Sequence, residues 1–447
     1  MRNKILLTFC VLSSIYSIAQ QKPNTAFAIV SNGNARMNWM NIQEIDLNTG
    51  EVVRKIFDRE KTAFTLVDAV SKKKLVRDEK KMMVTTTSAN NEKARMVKSG
   101  VSVKPANPVM NPADPTPYLA YEHPTATMVA AVAFDKRHNK LFFTPMYFSE
   151  LRWIDLYDKS NTVQVYCFTG NMMTSGESSN DASQFTRMVI GADGHGYVLS
   201  NDARNLIRFT TGKKPEVVKM GELKDDVENE KSKVSVHTRN MFGGDMVADA
   251  FGNLFLITSS SAVFKIDLQL LQATYMGNIK GLPKHFTTNG AAVNAQGDII
   301  VSSANAIDGY YRISLSDFTS EKLPLQSQPS TSDLASGNLV FEKEVENLTG
   351  GSVAQRNVLL NRAISVFPNP VTTGAFKVTF ANTDPGQYNL QLIDLSGKIV
   401  HQQRVNVVTK NQLQHVAVHD ALAKGIYQLK ITDTKSKVVS AGNIYVQ

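Results

Sequence analysis

Cysteine is almost missing from this chain, whose 447 residues hold only Cys10 and Cys167. Cys10 lies in an N-terminal segment that reads as a cleaved leader, so the mature chain keeps Cys167 alone and no intramolecular disulfide can form. Apolar runs of the ~20 residues that a membrane helix needs are missing too, and no transmembrane span is expected. Long helical periodicity is hard to find, which argues against a helical bundle. Sequence signatures with a mechanism attached are likewise lacking: no HExxH, GxSxG, GxxxxGK, EF-hand loop or paired CxxC occurs. The eight His residues are scattered, with His401, His415 and His419 near the C-terminus, so spacing defines no zinc site. Of the charges, neither sign dominates strongly, because the formal +9 falls to +7 once Arg2 and Lys4 leave with the leader. The densest basic cluster, Lys72-Lys73-Lys74 with Arg77, Lys80 and Lys81, contains Asp78 and Glu79 and no interleaved aromatics. It reads as a solvated turn rather than a strand-binding groove, and no nucleic-acid partner is expected.

What is present begins with the leader. Arg2 and Lys4 precede an apolar stretch from Ile5 to Ile18, and Ser17-Ile18-Ala19 offers small residues where a signal peptidase reads. Residues 1–19 are therefore expected to be a signal peptide cut before Gln20. A lipoprotein reading of Cys10 is disfavoured by Phe9, which stands where a small residue is wanted. A secreted chain without disulfides has to be held by burial, and residues 20–349 are long enough for a large core. Cys167, inside the alternating run VQVYCF, is expected to be a small buried apolar side chain.

Between leader and tail, short alternating runs recur in a fixed order bounded by Gly, Asn, Asp and Ser, the pattern of an all-β domain. One unit runs from Met128 to Phe168, a second from Thr186 to Gly221, a third from Asp245 to Ile279 and a fourth from Asn289 onward, the last with a degenerate final strand. The third run of each repeats as WIDL at 153–156, KIDL at 265–268 and RISL at 312–315, with EIDL at 44–47 near the N-terminus. Asp249-Ala250-Phe251-Gly252-Asn253 and Asn294-Ala295-Gln296-Gly297-Asp298 predict hairpin turns at matched positions, where Gly supplies a positive φ. Four-stranded units at this spacing resemble blades of a β-propeller. Ser332 to Asn338 resembles the first strand and turn of a further blade, and Asn41 to Phe57 resembles its outer strands, so the two ends are expected to join and close the ring. FTLVDAV, Phe64 to Val70, could open another blade before a Lys- and Pro-rich insertion. About six blades are expected for residues 20–349, with five or seven in range, followed by a linker at 350–363.

The tail, residues 364–447, alternates polar and apolar residues through YNLQLIDLSGKIV and GIYQLKIT, as a small β-sandwich does. Its FPNP opening, its LxDLSGKxV hairpin, its LxxGIYxLKI strand and its β-rich finish resemble the type A C-terminal sorting domain of the type IX secretion system found in Bacteroidetes. Pro368, Asn369, Pro370, Asp394, Gly397, Lys398, Gly425 and Tyr427 match the recurring residues of that family. The last strand departs from it in lacking a closing basic residue. The resemblance implies Sec export, folding in the periplasm and passage to the outer cell surface or the medium. It also implies contact with the type IX machinery, removal of the tail by a sortase-like protease and, for many members, attachment to surface lipopolysaccharide.

For the propeller, the residues just before each first strand should converge at the mouth of the central channel. His123, Arg187, Asp245 and Asn289 are the candidate ligand-binding residues there, with Thr127 and Ser332 beside them. No cofactor is evident from the sequence. Asp245, Asn289 and His123 together could hold Ca²⁺, as in hydrolases whose carboxylates and amides ring that ion. The leading expectation is a binding or scaffold module for a surface protein or glycan. The alternative is a metal-dependent propeller hydrolase, a lactonase or a polysaccharide-cleaving enzyme.

Overall fold

The computed structural model describes residues 24–31, 38–75, 123–147, 150–168, 180–213, 215–306, 308–327, 329–349, 364–367, 371, 375–380, 383–394, 396–408, 412–418 and 422–446. The signal peptide, the Lys- and Pro-rich insertion after Leu75, the linker and Pro368-Asn369-Pro370 lie outside them.

Strands dominate the described residues. β1 (Thr25–Ser31), β2 (Trp39–Asp46) and β3 (Val52–Phe57) form an antiparallel meander, and β4 (Phe64–Asp68) follows. The first repeat unit becomes β5 (Val129–Asp135), β6 (Lys140–Pro145), β7 (Leu151–Asp155) and β8 (Val163–Phe168). The second becomes β9 (Phe185–Ile190), β10 (Gly196–Ser200), β11 (Leu206–Phe209) and β12 (Val217–Gly221). Between the second and third units lie the short β13 (Lys224–Asp225) and α1 (Asn229–Ser232). The third unit is β14 (Gly244–Ala248), β15 (Leu254–Thr258), β16 (Ala262–Asp267) and β17 (Gln272–Asn278). The fourth is β18 (Gly290–Val293), β19 (Ile299–Ser302), β20 (Tyr311–Ile313) and β21 (Ser320–Lys322), the last only three residues long, as its degenerate sequence suggests.

The ring closes as expected. β22 (Thr331–Ala335) leaves the fourth unit and pairs antiparallel with β1, so one sheet runs β22-β1-β2-β3 and joins strands from both ends of the domain. Ala28 opposite Leu334 and Ile29 opposite Asp333 set the register. The innermost strands β5, β9, β14, β18 and β22 pack side by side around an axis. Residues from all five line an axial space of about 20 Å³, and Ala133, Ala248, Ala292 and Ala335 help to make it that narrow.

The described residues thus form five blades, at the low end of the expected range, and Phe64 to Val70 had suggested a further one. β4 does not open a blade; it lies parallel to β8 at the outer edge of the second sheet, Leu66 opposite Val165. β13 does the same beside β17 in the fourth sheet. An alternating run looks alike at the inner and outer edge of a blade, which is why periodicity overcounted.

Each sheet buries both faces against its neighbours. Val263, Phe255 and Ile257 pack toward the fifth blade with Val293, Ile299 and Ile313. Phe264, Ile266 and Leu256 pack toward the third blade with Leu199 and Leu206. Hydroxyls also stitch blade to blade near the starts of the inner strands. The Thr144 hydroxyl donates to the Phe185 carbonyl at 2.9 Å, Thr288 donates to the Thr258 carbonyl, and Thr331 to the Ser302 hydroxyl. The predicted turns form: Gly252 and Gly297 take φ of 93° and 94°, and the Asp249 and Asn294 side chains accept from the amides two and four residues on. Cys167 is buried, and burial pushes its thiol up to about 12.

After the closing strand, α2 (Glu342–Thr349) forms from the charged run EKEVEN. The tail is a two-sheet sandwich. β23 (Ile364–Phe367), β24 (Ala375–Phe380) and β27 (Gln412–Ala417) face β25 (Gly386–Ile393), β26 (Ile399–Val407), β28 (Gly425–Asp433) and β29 (Val438–Val446). Phe376, Val378, Leu390, Leu392, Leu429 and Ile431 fill the space between the sheets. Asp394 closes the LSGK hairpin by accepting from the Ser396 and Lys398 amides, both at 2.9 Å, with Gly397 at φ 86°. Tyr427 donates to the Ala423 carbonyl at 2.8 Å, and Gly425 holds a φ of 154°. Among the described residues no helix is long and apolar enough to cross a membrane.

Candidate functional site

Of the residues expected at the channel mouth, Arg187 and Asp245 lie on the adjacent inner strands β9 and β14, whereas His123 turns into a seam and Asn289 serves a loop. His123 lies at the seam of the first two blades, edge-on to Phe57 and Phe64 at 5.4 and 4.9 Å, with Nε2 2.9 Å from the Arg59 carbonyl. Burial lowers its pKa below the ordinary histidine value, so the ring is held neutral. Asn289 caps a loop. Its Oδ1 accepts from the Thr287 hydroxyl at 2.5 Å and the Ala304 amide at 3.0 Å.

Arg187 sits on β9 with none of its surface exposed. Its Nη1 donates to the Ser200 and Asn201 carbonyls at 2.9 and 3.1 Å. Its Nη2 donates to Met241 and Gly243 at 2.5 and 2.9 Å, and Nε to Gly243 at 3.1 Å. The guanidinium is a clamp between the third blade and the loop entering the fourth. Burial pulls its pKa down to about 9, the Asp202 and Asp245 carboxylates opposing.

Asp245, on the neighbouring inner strand β14, is also fully buried, and accepts from the Met246 and Ala291 amides at 2.7 Å each. Its companion is Asp333 of β22, beyond β18 in the ring, which the sequence marked only as part of a strand. The Asp333 carboxyl faces Asp245, and no well-formed hydrogen bond reaches either of its oxygens. Burial raises both carboxyls above the usual range; Asp245 further opposes ionisation of Asp333, whereas Asp333 favours the ionised form of Asp245. Two buried carboxyls in that state retain protons above the usual carboxylate range. Among the described residues no three His, Cys, Asp or Glu side chains come together as metal ligands. The axial space, lined toward the ends of the inner strands and by neither carboxyl, has room for about one water molecule.

A concavity lies on the opposite rim, where the hairpin turns of the fourth and fifth blades meet. It is a groove of about 490 Å³. Phe255 and Met276 form one wall, Ile299 and Phe318 the other, and Leu339-Val340-Phe341 covers it. That covering segment is fixed: the Val340 amide donates to the Ala248 carbonyl at 3.0 Å, and the Ala250 amide to the Val340 carbonyl at 2.9 Å.

Lys265 of β16 enters this groove with 9 % of its surface exposed. It shares the strand face of Val263 and the cross-strand partner Phe255, both of which point toward the fifth blade. Burial lowers its pKa; Asp249, then Asp267, oppose that from a distance. Among the described residues its ammonium makes no hydrogen bond and no ion pair. The Asp249 oxygens are already taken by the Phe251 and Asn253 amides and the Asn253 side chain. At the rim, Arg312 bonds Glu321 and lies 3.8 Å from Asp298. Motif and spacing could not find this groove, since it is built from turns of two repeats. The one signal was a lysine in KIDL on a strand whose both faces are buried.

Residues 365–443 match the family described as secretion system C-terminal sorting domain. No curated protein sequence matches the chain. Among solved structures, PorZ of Porphyromonas gingivalis, a surface component of the type-IX secretion system, overlaps 94 % of this chain at 14 % identity and a TM-score of 0.30. The chain spans about half of PorZ, 51 % of its length. A virginiamycin B lyase from Staphylococcus aureus overlaps 71 % of this chain and 84 % of its own, at 11 % identity and a TM-score of 0.29. A gluconolactonase from Xanthomonas campestris overlaps 43 % and 60 %, at 10 % and 0.28. Scores this low carry no function across.

Proposed function

We propose, from the premise that residues 365–443 are a secretion-system C-terminal sorting domain and the chain is type IX cargo bound for the cell surface or the medium, that the propeller is a binding module for a surface protein or glycan whose contact site is the groove between blades four and five. The tail is the address and the propeller is what is delivered. Removal of the tail by a sortase-like protease and attachment to surface lipopolysaccharide would fit that division of labour.

One contrast carries the reading. At the axial mouth, Arg187 spends its donors on backbone carbonyls and Asp245 accepts from two backbone amides. In the groove, Lys265 stands beside apolar walls and has no acceptor among the described residues. Concave apolar sites with a few placed polar groups are where ligands bind.

Hydrogen exchange of the full chain, with and without the outer-surface fraction of the producing cells, tests the assignment. Slowed exchange across residues 311–322 and 339–341 is expected. Slowing confined to residues 123–128 and 286–290 would move the site to the axial mouth, and no slowing anywhere would remove the binding reading.

A further inference from the structure

Resting on the reading of this groove as the contact site, we infer that it takes an anionic ligand: a carboxylate on a compact apolar body, bound with its head group on Lys265 Nζ and its body between Phe255, Met276 and Phe318.

Two independent features converge on that chemistry. The first is the cation. Lys265 keeps 9 % exposure, faces the fifth blade and finds no acceptor among the described residues. Its ammonium opens onto the groove without a protein acceptor among them, and an acceptor of opposite charge placed there binds it more strongly than a neutral one. The neighbouring acids do not supply it: Asp249 is engaged by its own turn, and Asp267 accepts from the Gln269 and Leu270 amides at 2.8 and 3.0 Å.

The second feature is the shape and polarity of the walls. Past Lys265 the groove is bounded by Phe255, Met276, Ile299, Leu315, Phe318 and Phe341. Phe318 is held at φ 58°, its ring beside Gly277, where an added Cβ would come within 3.1 Å of it. An apolar body therefore meets a shaped wall. At the opening Arg312 is committed to Glu321 and Lys343 is an exposed lining cation, whereas Lys265 is the lining cation set among the apolar walls.

Octanoate and its uncharged counterpart octanamide are suitable probes, titrated into the full chain by calorimetry with chemical shifts reporting the location. Octanoate should bind saturably and move resonances of Lys265, Phe318 and Phe341, with octanamide weaker by about thirtyfold or more. In Lys265→Met, an apolar replacement of similar length, the two probes should bind alike, and Lys265→Arg should restore the preference for the anion. Equal binding of both probes by the wild-type chain, or full octanoate affinity in Lys265→Met, would overturn the inference. If Lys265→Met fails to fold, the wild-type contrast and Lys265→Arg decide. Should neither probe reach the groove while hydrogen exchange still slows there with the surface fraction, the anion assignment fails and the binding module stands; should both fail, the groove is not the site.

Discussion

Replacing Asp333 with asparagine is expected to stabilise the propeller above neutral pH and to flatten its dependence on pH. Asp245 and Asp333 have no exposed surface, and their carboxyls face one another across the inner strands. Asp245 has two amide donors at 2.7 Å, whereas Asp333 has none that is well formed, although the Val132 and Leu334 amides lie near. Burial raises both pKa values above 3.8. The folded chain therefore keeps protons that the unfolded chain releases once the pH passes that value. Fewer protons on the unfolded chain mean that stability is fully present below 3.8 and declines as the pH rises toward the raised folded values. The substituted side chain cannot ionise, and its amide can donate to Asp245, which is then free to hold a charge. An unsatisfied buried polar group costs about 1–3 kcal/mol. Asp333→Asn should regain about 2 kcal/mol at pH 8, a rise in melting temperature of roughly 4 °C for a domain of this size. At pH 4, where the native pair is protonated, the gain should vanish. Thermal unfolding followed by intrinsic fluorescence between pH 4 and 8 measures both. A variant that melts lower than wild type at pH 8, or that keeps the wild-type slope, would refute the reasoning.

Other consequences follow from the same structure. Arg187→Met should lower stability by about 3 kcal/mol by leaving the Ser200, Asn201, Met241 and Gly243 carbonyls without their donor, and Arg187→Lys should recover only part, read by urea denaturation. Gly196→Ala puts a methyl 1.9 Å from the Phe209 ring, so the second repeat unit should lose about 1–3 kcal/mol; a variant as stable as wild type would mean that the ring moves freely. Deleting residues 364–447 should leave a folded propeller that no longer reaches the surface or medium, as cell fractionation with circular dichroism would report.

The ring was legible because its repeats carry their own punctuation. Asp249 to Asn253 and Asn294 to Asp298 form the predicted turns, and Ser332 to Asn338 pointed to β22 closing on the N-terminal sheet. β1 escaped notice as a strand because AFAIV is a continuous apolar run, buried on both faces and without alternation. Phe64–Asp68 misled because a short apolar strand looks alike at the inner and the outer edge of a blade, and it lies at an outer edge. The mouth candidates were assigned by position along the chain, which fixes where a residue lies on the ring but not whether its side chain points to the axis or into a seam. His123 points into a seam, and Arg187 binds carbonyls. The groove was hidden because its walls come from two repeats and its cover from residues 339–341, which follow the last of them.

The central claim is that the working surface is this groove and not the axial mouth. A crystal structure of the full chain grown with octanoate tests it most directly: the account predicts a carboxylate within hydrogen-bonding reach of Lys265 Nζ, about 3 Å away, with the chain against Phe318 and Phe341. Octanoate bound instead at the inner-strand starts beside Asp245 and Asp333, with Lys265 untouched, would contradict it.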